Sequence, residues 1–169
     1  MTDQLSGSGT SIQPLLVVRD AAAAIDFYAS VFGATELWRL MHYHRIGHAV
    51  LRVGTSEFVI LDEFPEAGII GPRAGETDTP PPSGPRLMLQ VPDVDVVLNN
   101  ALAAGATLVR PAADQWWGVR GGAIRDPFGY HWSVHSIVES ISIEEMQRRA
   151  DTLGLYPPPD TATLAKNQR

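Results

Sequence analysis

The stretch Leu15-Leu16-Val17-Val18-Arg19-Asp20, continued by residues 21–32 and closed by Gly33-Ala34-Thr35, decides the fold because the chain repeats its plan further on. Leu87-Met88-Leu89-Gln90-Val91-Pro92-Asp93 leads into residues 94–104 and closes on Gly105-Ala106-Thr107. Asp93 stands 73 residues after Asp20, and Gly105 stands 72 after Gly33. In each copy a short apolar run reads as a strand, the aspartate is placed to cap a helix, and the glycine ends that helix. Ile25, Tyr28, Val31 and Phe32 repeat with helical spacing in the first copy; Val94, Val97, Leu98, Ala101 and Leu102 do so in the second.

Outward from these helices the strand signals also repeat. Residues 12–18, 36–41, 48–53 and 58–62 read as strands around the first helix, with a turn at Gly54. Residues 87–91, 107–110, 121–125 and 130–137 do so around the second, with a turn at Asp126-Pro127-Phe128-Gly129. The fold class is therefore α+β, two tandem βαβββ modules forming a cup-shaped mixed sheet with the helices on its outer face. The expected organisation is a flexible N-terminus over 1–11, module one over 12–63, and a Pro- and Gly-rich exposed linker or lid over 64–85. Module two spans 86–138, and 139–169 carries a C-terminal helix and a loose tail. Ser142 and Glu145 fit a capping box for that last helix.

Composition narrows the function. A net charge of -6, with thirteen Lys and Arg residues scattered along the chain, argues against a phosphate-backbone binder, so no nucleic-acid partner is expected. No apolar run approaches the roughly 20 residues that cross a bilayer, and the Ser- and Gly-rich start lacks a signal-peptide layout, so a cytoplasmic protein with no membrane partner is expected. The absence of Cys excludes disulfides, thiolate metal ligands and a Cys nucleophile.

The repeated pattern, Ile25-Asp26-Phe27-Tyr28, Phe32-Gly33-Ala34 and Asp126-Pro127-Phe128-Gly129 with Trp132 resemble the vicinal oxygen chelate superfamily of glyoxalases, bleomycin-resistance proteins and extradiol dioxygenases. Arg45-Ile46-Gly47-His48-Ala49, Asp114-Gln115-Trp116-Trp117-Gly118-Val119-Arg120 and Glu144-Glu145-Met146-Gln147-Arg148-Arg149 resemble its PhnB-type branch. The resemblance covers roughly residues 12–153 and implies a site inside the cup, often shared across a homodimer. It does not fix the chemistry, since one fold hosts many functions.

Metal enzymes of that superfamily place ligands on the first and last strand of each module. Carried onto this chain, the positions are Gln13, Arg86, Ser133 and, at the repeat offset of 73, Ile60. An amide is an acceptable ligand, but a guanidinium has no lone pair to give, so the standard metal site looks dismantled and no metal or cofactor is expected.

Alternation along the last strand places His131, Ser133 and His135 on one face and Trp132 and Val134 on the other. With Trp132 read as core, the histidines point into the cup. The same offset assigns Phe58, Ile60 and Asp62 to the cup in module one, while Arg86, Met88 and Gln90 share a face in module two. The candidate catalytic residues are His131 and His135. Gln13, His48, Phe58, Asp62, Arg86, Met88, Gln90, Trp116, Trp117, Arg120 and Ser133 are the candidate ligand-binding residues. Blander readings stand beside these: His131 and His135 suit a solvated sheet face equally well, His48 suits a hydrogen-bonded structural role, and Arg86 suits the surface.

Three functions follow from this surface. The first is a binding protein of the bleomycin-resistance kind, holding a small organic molecule, aromatic in part, against Trp and Phe walls. The second is a metal-independent enzyme with His131 or His135 as general acid or base. The third is a metal-dependent lyase, isomerase or dioxygenase with a displaced ligand set drawn from Gln13, His48, His131 and His135.

Overall fold

A computed structural model describes residues 10–72 and 86–154. The expectations for the flexible lead, most of the linker and the C-terminal tail fall on residues outside these.

The two modules follow the expected order. Module one runs β1 (Leu15–Val18), α1 (Ala21–Phe32), β2 (Thr35–His42), β3 (Arg45–Val53) and β4 (Ser56–Asp62). Module two runs β5 (Leu87–Gln90), α2 (Val94–Ala103), β6 (Thr107–Asp114), β7 (Val119–Arg125) and β8 (His131–Ile137), and α3 (Ile143–Leu153) follows. Each module forms a four-stranded mixed sheet, in the orders β1-β4-β3-β2 and β5-β8-β7-β6. The first strand of each pairs parallel with the last, which is possible because the helix supplies the crossover between them.

Local chemistry sets the helix ends. The Asp20 carboxylate accepts from the Ala23 N–H and the Asp93 carboxylate from the Val96 N–H, so both aspartates are caps. Gly33 ends α1 in the left-handed conformation, at a φ of 67°. Half of the predicted capping box forms on α3. Ser142 Oγ accepts from the Glu145 N–H, but the Glu145 carboxylate is taken by Arg148 and Arg149 instead of turning back to the cap.

Strand β1 starts at Leu15 rather than at residue 12, and Ile12 is almost fully exposed. Proline has no N–H to add to a ladder, so Pro14 contributes only its carbonyl, to the Val59 N–H. Phe64 bridges to Ile69 around a 3-10 turn at Pro65–Ala67, and the Arg45 guanidinium lies 4.4 Å from the Phe64 ring centre.

The two modules share one apolar core. Leu16, Val18, Phe58 and Ile60 from the first sheet pack with α1, α2 and with Ile124, Trp132 and Val134 from the second. The Phe32 and Trp132 rings are 4.7 Å apart between centres. Two tyrosines tie the modules with polar bonds. Tyr28 on α1 donates to the buried Asp126 carboxylate at 2.5 Å. Tyr130 uses its hydroxyl twice on the edge of β1, accepting from the Val17 N–H and donating to the Val17 carbonyl.

Candidate functional site

The parallel registers correct one sequence reading. Leu16 pairs with Ile60 and its counterpart Leu89 pairs with Val134, so the repeat offset in the last strands is 74 rather than 73. A shift of one residue turns every side chain to the other face. Ile60 and Phe58 therefore face the helices and belong to the core, and Val59 and Leu61 occupy the free face of module one. Asp62 is committed to backbone, its two oxygens accepting from the Ala21 and Ile46 N–H groups at 2.7 and 2.6 Å. Residue 59, not 60, corresponds to Ser133.

The free face of module one is apolar at its centre, with Val50, Val59 and Leu61 buried. Trp38 and His48 stack on it with ring centres 5.0 Å apart and planes 7° from parallel. Gln13 donates to the Glu57 carboxylate, which also holds Arg52. His42 and His44 are exposed.

In module two the sequence reading of the face holds. Trp132 is buried on the helix side, where its Nε1–H donates to Asp126, and His131, Ser133 and His135 lie on the opposite, free face. Met88 and Gln90 pair with Ser133 and His135 and share that face. Met88 is 74% exposed, an apolar side chain left open on the edge strand β5. Arg125 pairs with His131, and Arg110 pairs with Ala123, itself opposite Ser133. Sequence reasoning missed Arg110, because a β-bulge after Leu108 moves it onto this face.

Two hollows adjoin Met88. A small one of about 130 Å³ lies on the free face between Met88, Arg110, Gln115, Trp117, Ser133 and His135. A cleft of about 750 Å³ opens between the starts of β1, β4 and β5, with Phe58, Leu89 and Trp132 as apolar wall and Gln13, Glu57, Arg86 and Gln90 as polar rim. Of the predicted ligand-binding set, the structure brings Gln13, Phe58, Arg86, Met88 and Gln90 to this cleft, and Met88, Trp117 and Ser133 to the small hollow.

The remaining predicted residues lie apart. Arg120 is held by Asp95 of α2 and by Asp114 at the rim. Trp116 meets Trp117 edge to face, and its carbonyl accepts from Arg149. His131 has its pKa lowered by burial and by the nearby Arg125 and Arg86 guanidinium groups, which favours the neutral imidazole. Among the described residues, no three His, Asp or Glu side chains gather closely enough to hold a metal ion.

A model of the Glyoxalase/Bleomycin resistance protein/Dioxygenase superfamily matches residues 11–134, which span both modules. The chain belongs to this superfamily. Among relatives within reach of the superfamily chain, the uncharacterized protein Rv0887c of Mycobacterium tuberculosis is 38% identical over 148 residues, covering 85% of this chain and 84% of its own. TioX from Micromonospora sp. ML1 shares the superfamily fold with a TM-score of 0.56 and 28% identity, over 76% of this chain and 99% of that one. The protein PA1353 from Pseudomonas aeruginosa does so with a TM-score of 0.58 and 25% identity, over 76% and 98%. A PhnB protein from Bacillus cereus, 17% identical with a TM-score of 0.55 over 75% and 99%, has the same fold.

Proposed function

We propose that this chain binds a small organic molecule, aromatic in part, in the hollows around Met88, and does so without the standard metal site of its superfamily. The observation that carries the proposal is the side-chain set at the four positions where superfamily metal enzymes hold their ion. With the corrected register these are Gln13, Val59, Arg86 and Ser133. Valine has no donor atom and a guanidinium repels a cation, so two of the four work against a metal, and Gln13 is already bonded to Glu57. These residues do not fit the ion.

The surroundings suit a guest instead. Apolar walls with a few polar groups at the rim are the usual make-up of a small-molecule site. The exposed Met88 gains by being covered, since burying a methionine side chain is worth about 1.5 to 3 kcal/mol. On the free face of module two Met88 is exposed, and the proposal includes a homodimer in which a second copy completes the cup.

A second reading rests on His131. With its pKa held down, the imidazole is neutral near pH 7 and can take a proton from a bound molecule as general base. Metal analysis of protein purified without a histidine tag, coupled to a thermal-shift screen with planar organic compounds, tests the binding reading. The expected result is no stoichiometric Zn, Ni, Mn or Fe, together with stabilisation by a subset of compounds that is lost in Met88→Glu. Stoichiometric metal, or a stabilisation that ignores Met88→Glu, overturns it. A turnover assay on the compounds found separates the second reading: His131→Ala abolishes product formation if His131 is the base and leaves binding intact.

A further inference from the structure

The free face of module two is cationic, although the whole chain carries a net charge of -6. Along β5, β8, β7 and β6 the residues on this face include Arg86, His131, Arg125, Arg110 and His135. None of the described strand residues on it is Asp or Glu. Asp114 pairs with Arg120 on the other face, and Asp126 is buried beneath the sheet with its oxygens spent on Tyr28, Trp132 and the backbone of its own turn. Neighbouring strands lie about 4.8 Å apart, so Arg86 beside β5 and Arg110 on β6 start about 14 Å apart at opposite edges of the sheet, and each reaches a hollow lined by Met88.

The arginines of the sheets divide sharply by partner. Arg39, Arg45, Arg52 and Arg120 each hold a carboxylate. Arg86 and Arg110 hold none among the described residues, and both border the hollows that meet at Met88. An arginine left unpaired beside apolar surface, in a chain of net negative charge, is a fork without its anion. The pKa of His131 is lowered first by burial and then by the Arg125 and Arg86 guanidinium groups, which resist the arrival of a further proton.

We propose that the molecule bound around Met88 is an organic oxyanion, its carboxylate or phosphonate held by Arg86 and Arg110 and its apolar body lying over Met88 and Trp117. The inference rests on the binding reading above and adds the charge of the guest. Ser133 in the small hollow and Gln90 in the cleft supply neutral hydrogen bonds that orient the guest. The absence of acids among the described strand residues of this face also disfavours cationic guests.

The test uses matched aromatic probes and methyl-labelled methionine. Benzoate and phenylphosphonate are titrated against the intact protein beside neutral benzamide and cationic benzyltrimethylammonium, with the Met88 methyl resonance as the local reporter and those of Met41 and Met146 as remote controls. The expected result is a saturable Met88 shift with at least one oxyanion, which of the two naming the headgroup. Benzamide should bind at least tenfold more weakly and the cation not at all, and Arg110→Gln and Arg86→Gln should each weaken the oxyanion at least tenfold while leaving the melting temperature unchanged. Equal binding of benzamide and the oxyanions, or indifference to both arginine substitutions, overturns the charge assignment and leaves the binding reading standing. Silence of Met88 toward probes of every charge overturns the binding reading and this inference with it.

Discussion

Replacing Tyr28 by Phe removes one hydroxyl group, and with it one hydrogen bond, at the junction of the two modules. The Tyr28 hydroxyl donates at 2.5 Å to Asp126, whose carboxylate is only 2% exposed and also receives Trp132 Nε1 and the Phe128 and Tyr130 N–H groups. A hydrogen bond to a charged group is worth about 1.5 to 3 kcal/mol, and phenylalanine leaves no cavity, so that figure is the expected loss. At about 2 to 4 °C per kcal/mol for a chain of this size, the midpoint should fall by about 3 to 12 °C. The pH dependence makes the prediction sharper. Burial raises the Asp126 pKa, so this group's contribution to stability is complete below its unfolded value and is lost as pH rises through its folded value. The Tyr28 bond opposes that rise by favouring the carboxylate. Its removal should therefore cost most at neutral pH and clearly less in acid, where the carboxyl holds its proton with or without the phenol. Thermal melts of wild type and Tyr28→Phe at pH 7 and pH 4, followed by near-ultraviolet circular dichroism of the Trp132 environment, measure both effects. An unchanged midpoint at pH 7, or a penalty as large in acid as at neutrality, would refute the argument that this bond carries a buried charge.

Two further outcomes are expected. Gly118 has a φ of 79°, and a Cβ there would meet the Glu139 carbonyl oxygen at 2.5 Å, so Gly118→Ala should destabilise the chain by about 1 to 3 kcal/mol through the β7 entrance, with faster amide exchange at Val138 and Glu139; an unchanged urea midpoint would contradict the strain. Glu145 has its pKa held down to about 2 by Arg148 and Arg149, so the stability it lends α3 is present above the ordinary glutamate value and is lost only as pH falls toward 2. Carboxyl carbon titration should show that low value in wild type and a rise toward the ordinary range in Arg149→Gln; an unshifted titration in the variant would dismiss the pairing.

The sequence alone determined the two βαβββ modules, because the information involved is local. A capping aspartate, a helical apolar spacing and a terminal glycine act within a dozen residues, and each appears twice. Alternation within one strand is equally legible, and it assigns Trp132 and Val134 to the core and His131, Ser133 and His135 to the free face. Tertiary structure decided what depends on how one strand meets another. The register of β1 on β4 moved Ile60 into the core and brought Val59 forward, since a slip of one residue reverses a face. The bulge in β6 turned Arg110 onto the free face, which no spacing in that segment announces. In the sequence Asp126 reads as an ordinary turn residue, and only the fold brings Tyr28, 98 positions earlier, to donate to it. Helix starts are written in neighbouring residues, but which charges face a common hollow is settled only when distant strands take their places side by side.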